Sequence, residues 1–491
     1  MKMSFFDEPE LEFGNGGTHI DIRYGLTKYG PLDVGEITAP TQLKVGLIGT
    51  EQSITELRSW FDKCKEGIPA KETRLTNLFP AFPPFTTEGP LQAALLFHDR
   101  WSSPIRQREI DDLLTRTAGV DRIRKSVALF IEHARELVEA GGPMVLICAP
   151  PLDLLDAVDE VPTRQLEAQE QDLDESSDPL PRVSDIRLTF HDLLKAEAMR
   201  LGVPIQMVRP HTYGGTAKSK VKKAKKTALP MQDEATRAWN MHTALYYKAG
   251  GVPWRLLRNS SDLSTCFVGI SFYRSLDGDR LLTSVAQVFN ERGEGVIVKG
   301  AQAQIDKEDR QPHLSEDDAR ALVRNAISVY RKEHRTTPAR LVIHKTSKVT
   351  AGEEYGFRSA ADTHEIDLME VLSMKRSFTR LFREGTYPPL RGTFVSLQQD
   401  IGLLYLRGSV QFFETYPGMY VPRPLEFTVS ESETSLDQLA KEILSLSKLN
   451  WNNTQFDGGE PITLRAARRV GDILKCVADD GLIQPSFRFF I

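Results

Sequence analysis

The chain has 491 residues, with 62 Lys and Arg against 67 Asp and Glu, a formal net charge of −5 and a pI near 6.1. That length exceeds what one hydrophobic core needs, so two or three domains are expected. The acidic balance excludes a protein that coats itself with nucleic acid through a general basic field, and any polyanion must be met by a local basic pocket.

Residues 1–42 are rich in Gly and Pro with scattered apolar positions, which predicts an extended lead-in. They begin MKMSFFDEPELEFGNGG, without the basic-then-apolar layout of a secretory signal. Three short apolar runs follow, Lys44–Gly49 (KVGLIG), Met144–Pro150 (MVLICAP) and Pro204–Val208 (PIQMV), each bounded by Gly or Pro and separated by helical stretches such as Ile123–Ala140. Strands alternating with helices predict a parallel, Rossmann-like sheet. Two polar insertions interrupt it. Asp156–Pro181 is acidic and reads as a solvated loop. Lys218–Lys226 (KSKVKKAKK) packs six lysines into nine residues, which reads either as a solvated loop or as one that grips phosphates.

From about Cys266 the pattern changes. CFVGISF, LLTSVAQVFN and GVIVKG predict three consecutive strands joined by turns at Asp277–Asp279 and Glu291–Gly295. An amphipathic helix, Ser315–His334, and a strand at Arg340–Lys345 follow. Three antiparallel strands, a helix and a further strand open an RNase H-like fold. No run approaches the roughly 20 apolar residues needed to span a bilayer. The four cysteines (Cys64, Cys148, Cys266, Cys476) form no CxxC pair, which argues against a disulfide framework or zinc site and fits a reducing cytoplasm.

The helix predicted at Phe190–Leu201 puts Phe190, Leu193, Leu194 and Leu201 on one face and His191 and Lys195, four apart, side by side on another. Gln206 lies on the next strand. The helix around Trp239–Tyr247 ends at Lys248, followed by Gly250 and Gly251, and a cation in the last turn suits the helix dipole. From the local pattern alone these are a polar helix face and a capping charge.

The run Gln232–Leu256 (QDEATRAWNMHTALYYKAGGVPWRL), with His191, Lys195 and Gln206 upstream, resembles the MID domain of Argonaute proteins. CFVGISF, RLVIHKTS, DIGLLYLRGS and LNWNNTQFDG resemble PIWI-domain segments in the same order, GGVPW and WNNTQF being the specific stretches. The likeness covers roughly residues 10–491 and is narrowest to the short prokaryotic Argonautes, which consist of MID and PIWI domains. It implies an α/β chain with a lead-in (1–42), a Rossmann-like MID domain (43–257) and an RNase H-like PIWI domain (258–491), with no room in 1–42 for a PAZ domain. It also implies that His191, Lys195, Gln206 and Lys248 hold the 5′-phosphate of a guide strand, His191 standing where many relatives have tyrosine. The last residue, Ile491, would bring its terminal carboxylate to a magnesium ion bridging guide phosphates.

An RNase H-like nuclease needs carboxylates converging on two metal ions. At the matching positions stand Ser271 in VGISF, Thr346 in IHKTS and Arg468 in PITLRAARR, so the resemblance implies an inactive centre. The turn acids Asp277, Asp279, Glu291 and Glu294 are poor substitutes, and Arg465, Arg468 and Arg469 are expected to lie along a guide–target duplex or to form a solvated basic face. The expected activity is guide-dependent recognition, with guide RNA and single-stranded DNA target, in prokaryotic immunity against plasmids and phages. Its output would come from an APAZ-bearing effector with a TIR, Sir2-like or nuclease domain, ending in abortive infection. Two rivals remain: an active guided nuclease, and a Rossmann-type small-molecule binder suggested by Gly46 and Gly49 in KVGLIGT, which lacks GxGxxG.

Overall fold

The computed structural model describes residues 1–158, 187–214, 232–257, 262–288, 295–382, 388–418, 421–455, 458–478 and 481–491. Lys218–Lys226, Glu291, Glu294 and most of Asp156–Pro181 lie outside the described residues.

The lead-in is more ordered than its Gly and Pro content suggests. Strand β1 (Lys2–Phe5) adds to the far edge of the large sheet by pairing with Thr393–Ser396. Helix α1 (Ile22–Tyr29) starts where the Asp21 side chain accepts from the backbone of Arg23 and Tyr24, which satisfies two of the unpaired first-turn donors. Phe13, Ile22 and Leu26 are fully buried, and these few apolar side chains are enough to order a segment whose composition looks like linker.

The three apolar runs become parallel strands as expected. β2 (Gln42–Thr50) pairs with β5 (Val145–Ala149), and β5 with β6 (Ile205–Met207). β3 (Ala94–Leu96) and β4 (Ser102–Ile105), which the reading of the sequence missed, line the other edge of β2. Helices α2 (Glu51–Glu66), α3 (Gly119–Glu139), α4 (Phe190–Ala198) and α5 (Glu234–Lys248) pack on this sheet. Gly46 and Gly49 sit inside β2, where a side chain would strike Leu146 and the Ala149 carbonyl. Their smallness serves strand packing, which removes the basis of the small-molecule reading.

The second half is built on an antiparallel meander, β7 (Thr265–Arg274), β8 (Leu281–Val288) and β9 (Gly295–Gln302). Helix α6 (Glu316–His334), capped by Ser315, leads to β10 (Arg340–Lys345), parallel to β7. Helix α7 (Ala351–Thr363) leads to β11 (Leu368–Arg376), parallel to β10. The order β9-β8-β7-β10-β11 is that of an RNase H-like core. Strands β12 (Thr393–Ser396), β13 (Ile401–Leu404) and β14 (Leu425–Glu431) extend it to β1, giving nine strands among the described residues.

Two helices cover this extended sheet from the side opposite α6 and α7: α8 (Leu436–Leu446) and α9 (Ile462–Leu474). On β7, Val268 and Ile270 point into the α6–α7 core. Gly269 and Ser271 therefore face α9, because strand side chains alternate. Gly269 lets α9 settle on the sheet, since a Cβ there would collide with the Thr463 carbonyl. His344 on β10 anchors the same helix through Nδ1 and Thr463 Oγ1, 2.8 Å apart.

The two motifs that carry the resemblance meet in space. Trp451 Nε1 donates to the Trp254 carbonyl at 3.1 Å, and Trp254 Nε1 to the Lys448 carbonyl at 3.1 Å. Thr454 donates through its N–H and hydroxyl to Asn240 Oδ1 of α5, each at 2.9 Å. Lys448 Nζ, buried, meets Glu8 at 3.3 Å and the Ile20 carbonyl at 2.7 Å. The halves thus share one core, to which Phe487, Phe489, Phe490 and Ile491 also belong.

Gly269→Ala is expected to lower stability by about 1–3 kcal/mol, because extra volume is forced into a packed core. Thermal unfolding measures this, and an unchanged midpoint would contradict the seating of α9 on β7.

Candidate nucleic-acid interface

Helix α4 begins where Thr189 Oγ1 accepts from Asp192 N at 3.0 Å. This start fixes His191, Asp192 and Lys195 on the side turned toward α9. Helix α5 ends at Lys248, where Gly250, with φ of 102°, turns the chain back. Asp33 of the lead-in holds that turn, accepting from Tyr246 Oη at 2.6 Å and Val252 N at 2.9 Å. The side chains of two helices from the first half and one from the second therefore converge.

Lys195 and Lys248 are 3% and 1% exposed, which decides their chemistry. Lys195 Nζ donates to the Ile205 carbonyl at 3.2 Å and to the main-chain oxygen of Ile491. Lys248 Nζ is buried with no hydrogen-bond partner among the described residues. Burial, followed by Arg469, pulls the Lys248 ammonium down to about 7, while burial, Lys248 and Arg469 pull Lys195 well below the ordinary lysine value. Burying like charges together is costly unless an anion joins them.

Arg469 is the residue the sequence misplaced. Instead of lying along a solvated face of α9, it reaches across to α4. Its Nη1 meets Asp192 Oδ1 at 3.2 Å, and its Nη2 meets His191 Nδ1 at 2.7 Å and Nε2 at 3.2 Å. His191 Nδ1 also lies 3.2 Å from Asp192 Oδ1, so the ring is shared between the guanidinium and the carboxylate. Burial and then Arg469 hold the imidazole down to about 3, so His191 contributes an N–H rather than a charge. Burial alone would raise the Asp192 carboxyl, yet Arg469, His191 and Lys475 hold it far below the usual range.

Gln206 sits on β6 with Nε2 bonded to the Met207 carbonyl at 3.2 Å, leaving Oε1 buried and unpartnered among the described residues. Ile491 reaches Lys195 as expected, but its oxygen is already an acceptor there. Magnesium demands six near-octahedral ligands. Beside the ammonium of Lys195, the residues here do not make a cation site by themselves. Among the described residues no group of three or more His, Cys, Asp and Glu lies together.

A second centre lies at the strand ends. Ile270 of β7 is paired with Lys345 of β10, so Ser271 and Thr346 come side by side, facing α9. They are 2% and 3% exposed, and Thr346 N donates to the Ile270 carbonyl at 3.1 Å. Ser284, opposite Ser271 on β8, adds a third hydroxyl. Arg468 on α9 turns to Glu460 at 3.3 Å, which also meets Arg376 of β11 at 3.8 Å. Asp277 and Asp279 stay at the hairpin tip, where Asp277 Oδ1 accepts from Asp279 N at 3.0 Å.

No family model and no curated protein matches the chain. Solved structures do match. A Clostridium butyricum Argonaute bound to a guide DNA and a 19-mer target DNA superposes with a TM-score of 0.66 at 15% identity, over 100% of this chain and 55% of that one. Drosophila Piwi superposes with a TM-score of 0.61 at 12% identity, over 99% of this chain and 56% of that one. The fold is that of the Argonaute and Piwi proteins, a MID- and PIWI-type α/β architecture. The chain spans about half the length of these structures. Among the described residues no helix is long and apolar enough to cross a membrane.

Because the Lys248 value of about 7 lies below its ordinary 10.5, the folded protein binds fewer protons than the unfolded chain between them. Stability should therefore rise with pH across that window. Lys248→Met is expected to stabilise the protein at neutral pH by on the order of 1–2 kcal/mol and to flatten that rise. A lower melting temperature for the variant at neutral pH would contradict the burial of an unpaired ammonium.

Proposed function

We propose that this chain binds the 5′-phosphorylated end of a guide strand between α4, α5 and α9, and presents the guide for pairing to a target that it does not cut. The observation that carries this is Lys248 Nζ, buried without a partner among the described residues, beside Lys195 and Arg469. A terminal phosphate offers three acceptor oxygens and up to two negative charges, the complement of this set. Lys195, Lys248 and Arg469 supply charge, the neutral His191 ring adds a polar group, and Gln206 lines the approach from β6. Were magnesium to bind with the guide, Ile491 would be the residue placed to hold it, and the ion would offset phosphate charge.

The hydroxyls of Ser271, Thr346 and Ser284 support the second clause. They are poor ligands for divalent ions, and Arg468 brings positive charge where a metal would need a carboxylate. An active guided nuclease is the weaker reading, since the remaining acids nearby are solvated at the hairpin tip or consumed by arginines. We assign guide RNA and single-stranded DNA target, defence against plasmids and phages, and an APAZ-bearing effector with a TIR, Sir2-like or nuclease domain as the output that leads to abortive infection. What supports a partner is the resemblance to the short MID–PIWI Argonautes, together with the hydroxyls of Ser271 and Thr346 at the strand ends. Co-purification from the native operon, followed by target-dependent NAD(P) loss or DNA degradation, tests that assignment. A chain that purifies alone and triggers neither would end it.

Lys195→Ala combined with Lys248→Ala is expected to weaken 5′-phosphorylated guides far more than 5′-hydroxyl guides, each charge-assisted bond contributing about 1.5–3 kcal/mol. Wild-type protein in the same reactions, with magnesium or manganese, should leave the paired target intact. Equal losses for both guides would refute the pocket, and a cut opposite the guide would refute the inactive centre.

A further inference from the structure

We propose that Phe378 and Phe382, on the loop leaving β11, form a stacking site for unpaired bases of a nucleic-acid strand at the lip of the hydroxyl-lined centre. This rests on the guided-binding reading but uses residues that the reading does not need. Phe378 is 77% and Phe382 84% exposed, a costly position for two large apolar rings in a chain that buries most of its aromatics.

The loop is built rather than loose. Ser377 N donates to the Pro424 carbonyl at 3.0 Å, and Ser377 Oγ to Glu426 Oε2 at 3.2 Å. Thr379 N donates back to Ser377 Oγ at 3.2 Å, and Leu381 N to Tyr405 Oη at 2.9 Å. The backbone is thus held on both sides of Phe378, and the rings stand outward from it.

Placement and charge name the occupant. β7, β10 and β11 are mutually parallel neighbours, so β11 ends on the same edge of the sheet as Ser271 and Thr346. The loop starts at Arg376, which Glu460 joins to Arg468. Arg423 lies 5.7 Å from the centre of the Phe378 ring, and Arg380, exposed and between the two phenylalanines in sequence, donates to the Phe378 and Thr379 carbonyls. The nearby acid Glu426 is neutralised by Lys375 at 2.9 Å. Rings alternating with guanidinium groups suit a strand whose bases stack while its phosphates are met by cations. An apolar protein partner would instead favour a continuous apolar patch without interleaved charge.

The test uses guide-loaded full-length protein and complementary single-stranded DNA carrying 5-iododeoxyuridine at successive positions. Irradiation couples that base to an aromatic side chain stacked on it. Crosslinks are expected at Phe378 or Phe382 from a small set of adjacent positions. Phe378→Ala with Phe382→Ala should lose them and weaken target binding about tenfold or more, with guide affinity unchanged. Phe378→Trp with Phe382→Trp should retain both properties. Crosslinks elsewhere with target affinity intact in the alanine variant would overturn the proposal. So would an alanine variant that binds target normally but no longer retains a co-purifying protein. If wild-type protein fails to prefer complementary over scrambled DNA, the guided reading falls instead. The stacking site is then judged on guide-free single strands, whose binding the alanine variant must still weaken.

Discussion

The interaction on which the structure depends is the burial of Lys195 and Lys248 beside the half-buried Arg469, against the carboxylate of Asp192 and the main-chain oxygen of Ile491. Like charges out of water repel strongly and lose hydration. Such a cluster persists only if the surrounding fold over-determines it. Here the determination comes from three directions. Thr189 starts α4, the Asp33-held turn ends α5, and Gly269 with His344 seats α9. The paired tryptophans Trp254 and Trp451, the Lys448–Glu8 contact and the aromatic run at Phe487–Phe490 lock the two halves so that the helices cannot drift apart. In the proposed reading a guide phosphate would supply the missing negative charge, so relief of the repulsion in the cluster would add to its binding energy.

Helix α9 links this pocket to the second centre. On consecutive residues it sends Arg469 to Asp192 and His191, and Arg468 to Glu460 and, through it, to Arg376. About one and a half turns earlier Thr463 meets His344. Any movement of α9 along the sheet would therefore be felt at the Lys195–Lys248 cluster and at the strand ends together. At the strand ends Ser271 and Thr346 lie adjacent on parallel strands under the helix, beside the ion-paired Arg468.

Much of the scaffold was legible in the sequence because its signals are local. KVGLIG, MVLICAP and CFVGISF are short apolar runs bounded by turn residues, and Ser315 announces the helix it caps. His191 and Lys195 at helical spacing gave a shared face. What was not legible is long-range. Arg469 looks like any solvated helix arginine until α9 is laid against α4, and nothing near it in the chain signals Asp192. The lead-in looked like linker because its few buried side chains, Phe13, Ile22 and Leu26, are diluted among Gly and Pro. The neutral state of His191 depends on a guanidinium some 278 positions away, which no local pattern contains.

The most direct measurement of the central claim is calorimetric proton uptake on guide binding, in buffers of differing ionisation enthalpy. At about pH 8 the guide phosphate is already a dianion, because its second pKa is near 6. Protons taken up there must come to the protein, whose Lys248 sits at about 7 and is raised when an anion joins it. A 5′-phosphorylated guide is expected to draw in a substantial fraction of a proton, a 5′-hydroxyl guide none, and the Lys248→Met variant less than wild type. Equal uptake for both guides, or none for either, would contradict a buried cationic pocket completed by phosphate.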